Sequence, residues 1–319
     1  MKRLKRWLAI ILMGAVAHLL MPWSVHAQRT EEEQKAEDVQ QQAEEAQKAL
    51  ELFLREQRVV FRQGEGALEL GLFYSLDTKE TFLRSAEGSV FVAKLTKRTV
   101  LPILTLRYAL VNDLELDIIA PFYGYSELET NLGGAHQRIS DSGPTDITGL
   151  VRYQLWHERG ASPDVILDVR GQSRAGGNDL LGTGYWAVGG GITLVKTLDP
   201  VVFFGRLGYT YTLERGGIDP GNEIAFLSGT GFSLNDRVSF TMQVNGIFTG
   251  DVKLNGRTVN HSNLESFSLQ LGATVQVTKY WFVEPFVSLG LSDDAPDVAL
   301  GINVVRIRLP IFRRSQKVS

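Results

Sequence analysis

The sequence predicts an all-β transmembrane barrel of about twelve antiparallel strands, preceded by a coiled-coil-like N-terminal α-helix. Three observations carry this. From Ala67 onward, apolar and polar residues alternate with a period of two, as in a strand whose successive side chains point to opposite faces. The connections run long, short, long, short, the asymmetry of outer-membrane barrels with tight periplasmic turns and longer external loops. The chain opens on an export leader, yet holds no later apolar run long enough for a membrane helix.

The leader is "MKRLKRWLAIILMGAVAHLLMPWSVHA". Lys2, Arg3, Lys5 and Arg6 form a charged start, an apolar run follows, and Val25-His26-Ala27 ends in a small residue. This is the pattern of a signal peptide over residues 1–27, cut after Ala27. Cleavage removes four basic residues and no acidic ones, moving the formal charge from −3 to −7. Nothing in that balance suggests a nucleic-acid partner. The chain has no cysteine, which excludes disulfides and thiolate metal sites.

Residues 28–63 come next. Their Glu, Gln, Ala, Lys and Arg, with no Gly or Pro before Gly64, favour a helix. Ala36, Val39, Ala43, Ala46, Leu50, Phe53 and Val60 form a seam on three- and four-residue steps, with Gln57 the exception. A long polar helix with a narrow seam wants a partner. The expected partners are further copies of itself through residues 30–63, or the inside of the barrel. "RQGEG" at Arg62–Gly66 breaks the helix.

Twelve strands are expected at 67–76, 99–110, 114–127, 145–157, 164–175, 184–198, 201–215, 222–235, 238–250, 264–278, 281–291 and 297–309, within a barrel of 67–312 and before a polar tail of 313–319. Such lengths suit a tilted membrane crossing. The long connections are 77–98, 128–144, 176–183, 216–221 and 251–263. The short ones are "VND" at Val111, "HERGAS" at His157, "DP" at Asp199, "ND" at Asn235 and "KY" at Lys279. Both barrel ends then fall on the short-turn side, the periplasm. The outer membrane is the expected location, with the helix on its periplasmic side.

The alternation sorts residues into two faces. Leu104, Leu106, Leu116, Ile118, Phe240, Met242, Phe267, Leu269, Leu271 and Val275 are expected to face lipid. Glu69, Arg107, Glu115, Asp117, Asp146, Arg152, Asp168, Arg170, Arg174, Arg206, Gln243, Asn245, Gln270, Gln276 and Glu284 are expected to line a lumen. Strand-centre charges of both signs, mixed with Ser, Thr, Gln and Gly, fit a wet interior with ion pairs across it. Aromatics such as Tyr74, Tyr108, Phe122, Trp156, Tyr280 and Trp281 fall near strand ends, as a membrane girdle requires. Two segments resist. Neither face of "NEIAFLSGTGFSLN" is clean, and in "ALGINVVRIRL" the phase slips near Val304–Val305, suggesting a bulge.

No catalytic constellation is visible. His136, His157 and His261 fall in expected loops or turns without metal-site spacing. Neither a metal nor another cofactor is expected. Gly189-Gly190-Gly191 lacks a phosphate-loop context and suits a strand that bends or packs closely.

"RTVLPILTLRYALVNDLELDIIAPFYGY" resembles the strand-turn-strand of outer-membrane barrels in the MetA-pathway phenol-degradation family. "PTDITGLVRYQLW" resembles that family's next strand, with Asp146 and Arg152-Tyr153 in the matching places. "LSDDAPDVALGINVVRIRL" resembles its closing hairpin. The resemblance spans about 67–309 and departs at Ala109, where the family has Gly. A coiled-coil helix before a twelve-strand barrel also resembles, in domain order, the exporters of functional amyloid.

The expected function is a passive outer-membrane channel for small solutes, hydrophobic or aromatic ones among them, gated or assembled through the N-terminal helix. It is not expected to be an enzyme. Its expected partners are membrane lipid and the outer-membrane barrel assembly machinery. An export conduit for an unfolded or amyloid polypeptide, and a structural barrel without transport, are the alternatives.

Overall fold

The computed structural model describes residues 60–84, 90–132, 135–176, 181–307 and 309. The expected leader 1–27, the expected seam residues Ala36 to Phe53 and the expected tail 313–319 lie outside the described residues. Val60 lies inside them. It stands in irregular backbone, and a turn at Gln63-Gly64 follows, so the expected helix does not reach residue 63.

Among the described residues every regular element is a strand. They are β1 (Gly66–Arg84), β2 (Val90–Val111), β3 (Leu114–Pro121), β4 (Gly124–Leu132), β5 (Ala135–Gly143), β6 (Thr148–Trp156), β7 (Asp164–Gln172), β8 (Ala187–Leu198), β9 (Val201–Thr212), β10 (Ile218–Asp219), β11 (Glu223–Asn235), β12 (Val238–Thr249), β13 (Lys253–Leu254), β14 (Arg257–Thr258), β15 (Leu264–Thr278), β16 (Trp281–Gly290) and β17 (Val298–Ile307). Fourteen form one antiparallel sheet in the order β1-β17-β16-β15-β12-β11-β9-β8-β7-β6-β3-β2-β4-β5, and β1 also pairs with β2. That second pairing closes a ring of twelve strands, with the β4–β5 hairpin outside it. Closure pairs both edges of every strand within the ring.

Four of the five short turns carry a device that tightens them. Register shifts fall at Ala109/Val111, Gln154/Trp156, Ser233/Asn235 and Gln276/Thr278, each beside a short turn. An extra residue there increases local twist and lets a strand reverse within a few residues. Asp113 takes φ 69° in the first of these turns, a left-handed conformation that Asp tolerates. Its carboxylate also meets His157 Nε2 at 3.1 Å, tying two turns together.

The long side differs from expectation. Most of 77–98 and 128–144 is strand. β1 and β2 stay paired out to Arg84↔Val90, and β4 and β5 pair from Gly124↔Gly143 to Leu132↔Ala135. The expected strand 114–127 is interrupted at Phe122-Tyr123, where β3 stays in the ring and β4 departs along the outer half of β2. His136 therefore lies on a strand, not in a loop. Both faces of this extension meet water, as the exposed residues of β5 show, so alternation is lost there.

The two irregular strands also have a physical reason. β17 pairs with β1 and β16 in unbroken register through Val304 and Val305, so no bulge is present there. Val305 belongs to an apolar cluster with Ala67 and Phe282, and the apparent slip is an apolar residue pointing inward. On β11, Leu227 packs on a second inward cluster of Val195, Val202 and Phe204. Apolar residues thus appear on both faces of β11.

Candidate functional site

The interior of the ring carries a connected set of charges on one wall. Register places them. Arg107 on β2 is opposite Asp117 on β3, Glu115 on β3 is opposite Arg152 on β6, and Arg152 is opposite Asp168 on β7. Arg107 Nε donates to Glu115 Oε1 at 2.8 Å, and Arg152 Nη1 donates to the same oxygen at 3.0 Å. Arg152 also pairs with Asp117. Glu69 on β1 lies 3.7 Å from Arg107. Arg107, Glu115, Asp117, Arg152 and Asp168 are all buried. Charges so removed from water persist only when paired and hydrogen-bonded.

The wall continues because β8 has no side chains in its way. Arg206 on β9 reaches across β8 to Asp168 with Nε–Oδ1 3.0 Å and Nη2–Oδ2 2.7 Å, a bidentate fork. A Cβ on Gly191 would fall 2.7 Å from Arg206 Nη2, and one on Gly189 would fall 3.1 Å from Arg170 Nε. Arg170 on β7 in turn reaches Thr210 on β9 and, at 3.3 Å, Glu223 on β11. Gly189 and Gly191, which share the inward face of β8, give two arginines passage over the strand.

On β12 and β15 the inner face is uncharged and polar. Gln243 is opposite Gln270, Asn245 opposite Ser268, and buried Ser239 opposite buried Thr274. Gln243 Nε2 donates to Asn245 Oδ1 at 3.0 Å. Gln276 follows on the same face of β15, and half-buried Glu284 on β16 is opposite Asn303.

On the outward face, Leu116, Ile118, Phe240 and Met242 are exposed. Leu104, Leu106, Phe267, Leu269, Leu271 and Val275 are half-buried and share that face. Ile118 is 51% exposed, while its neighbour Asp117 is 2% exposed.

Two residues expected on the wall are elsewhere. Arg174 is exposed in the connection after β7. Asp146 sits in the break between β5 and β6, hydrogen-bonded to that same connection. Sequence reasoning missed Phe61 and Glu223. Phe61 packs against the inward cluster of Ala67, Phe282 and Val305, with its ring 4.6 Å from Arg107 Cζ. Its amide donates to Glu115 Oε2 at 2.8 Å. Gly64 N donates to Ala109 O at 2.9 Å, and Ala109 N to Glu65 O at 3.0 Å. The segment leading into β1 is therefore held inside the short-turn end. A helical pattern running through Val60 hid this. Glu223 was hidden because register across four strands is not written in any one of them.

Residues 83–309 match a family described as "Putative MetA-pathway of phenol degradation". Among solved structures, an outer membrane channel from Pseudomonas putida F1 is similar with a TM-score of 0.60 at 15% identity, over 78% of this chain and 97% of that one. The translocator domain of the autotransporter NalP from Neisseria meningitidis gives a TM-score of 0.44 at 11% identity, over 86% of this chain and 97% of that one. The first likeness is one of fold.

Proposed function

The chain belongs to the family described as the MetA pathway of phenol degradation, and from that premise we propose that it is an outer-membrane channel for small solutes. Hydrophobic or aromatic solutes are among those it would pass, and the N-terminal segment would gate or assemble it. One observation carries the reading. Alternate residues of a closed barrel place exposed Leu116 and Ile118 beside buried Glu115 and Asp117. In water this is inverted, because an exposed apolar band has nothing to cover it. In a bilayer the same band meets lipid, and the polar face surrounds a lumen. On this reading Arg107, Asp117, Arg152, Asp168, Arg170 and Arg206 set the lumen field, and their mixed signs favour weak ion selectivity. Nothing in this role requires catalysis.

The packing of Phe61 supports control by the N-terminal segment, since it ties that segment to the buried charges. The completeness of the Arg206–Asp168 fork supports a second reading, a structural barrel sealed by its own ion pairs. Solute flux into proteoliposomes separates the two. The channel reading expects flux of a small neutral solute, raised in Phe61→Ala. Absence of flux in the full chain, in Phe61→Ala and in a deletion of residues 28–63 would favour the sealed barrel.

A further inference from the structure

Asp146 holds two separate stretches of the β7–β8 connection. Its Oδ1 accepts Gly176 N at 2.9 Å. Its Oδ2 accepts Thr183 N and Thr183 Oγ1, each at 2.7 Å, and Gln172 Nε2 at 3.3 Å. The two legs touch at glycines, for a Cβ on Gly176 would fall 2.9 Å from Gly182 Cα. Next to this neck, Leu181 points to the inner wall. A Cβ on Gly124 would fall 2.8 Å from Leu181 Cδ2 and 2.6 Å from Leu101 Cδ2. Leu101 lies on β2 at even spacing from inward-facing Arg107, so it shares that face. It is opposite Phe73 on β1, whose ring centroid is 6.4 Å from that of Phe286. Leu181 therefore rests inside the barrel, toward its long-connection end.

We propose that Asp146 is a positioning residue that, through Thr183, holds Leu181 inside the barrel, where Leu181, with Leu101 and Phe73, forms an outer constriction that sets the size of solute admitted. This rests on the channel reading. One carboxylate with both oxygens accepting is what joins the legs. An asparagine keeps only one acceptor oxygen and turns the other position into a donor facing a donor.

Two measurements test it. The chain has no cysteine, so Leu101→Cys with Leu181→Cys introduces a sole thiol pair. Oxidation of the folded barrel should join that pair, and should do so much less in the added presence of Asp146→Ala. In proteoliposomes, Asp146→Ala and Leu181→Gly should each raise trisaccharide entry relative to monosaccharide entry severalfold, with Asp146→Asn between them and wild type. Heat-modifiable migration on gels confirms that each variant is folded. A pair that does not cross-link overturns the loop placement. A wild-type pore whose size cut-off is unchanged in both variants overturns the constriction alone. Cross-linking without any monosaccharide entry removes the channel reading, and the constriction with it.

Discussion

At the scale of single residues, the interior is a test of how charges survive burial. Arg107 serves Glu115, Glu69 and Asp117 at once. Arg107→Leu leaves Glu115 and Asp117 to share Arg152, and breaking a buried pair on one side costs about 3–5 kcal/mol. We expect a clear fall in the unfolding temperature of the detergent-solubilised barrel. The double variant Arg107→Leu/Glu115→Leu should lose less than the single one, because no unpaired carboxylate remains at position 115. Gly191 gives a second prediction. A side chain there collides with the guanidinium that crosses β8 and with Leu207 O at 2.9 Å. Gly191→Val should therefore cost about 1–3 kcal/mol by overpacking, whereas Gly149→Val, whose added Cβ meets nothing within 4 Å, should not show that loss. Thermal melts of the two variants decide this. The glycine run was legible as a place of close packing. What packs there was not, since Arg206 and Asp168 are 38 positions apart.

At the scale of elements, the ring strands were legible and their outer extensions were not. An apolar outward face and a polar interior impose alternation, and "LESFSLQLGATVQVT" carries it over the whole of β15. β5 meets water along almost its full length, so no face needs to be apolar and the strand signal disappears. The β4–β5 hairpin contributes nothing to closure. Thr145 Oγ1 donates to Pro121 O at 2.8 Å, so the two ends of the excursion already sit together. Removing 122–143 and joining Pro121 to Pro144 should leave a folded, heat-modifiable barrel. Loss of heat-modifiability would mean that the hairpin is needed for folding. The short β6–β7 turn makes a pH prediction. Partial burial raises the Glu158 pKa, but Lys196 Nζ at 2.6 Å and the amide of Thr197 outweigh it and hold the carboxyl below its ordinary 4.5. A depressed carboxyl stabilises the folded state above the unfolded value and loses that contribution as pH falls through the folded one. Acid melts should show this loss below about pH 4.5, worth under about 1 kcal/mol, and Glu158→Gln should remove it.

At the scale of the whole molecule, the closed ring and the family were legible from alternation, turn asymmetry and three short motifs. The two inward segments were not. Phe61 follows a helical composition, and the Asp146 clamp needs a tertiary contact across 37 positions. Phe61 and Leu181 both lie within the ring, one near each end, and on the channel reading they control what crosses it. Single-channel recording in a planar bilayer decides the channel reading, using the folded chain without residues 1–27 and a form that also lacks residues 28–63. A channel should show stepwise conductance with weak ion selectivity, and longer open times once the segment bearing Phe61 is removed. Silence from both folded forms across the working voltage range would contradict it.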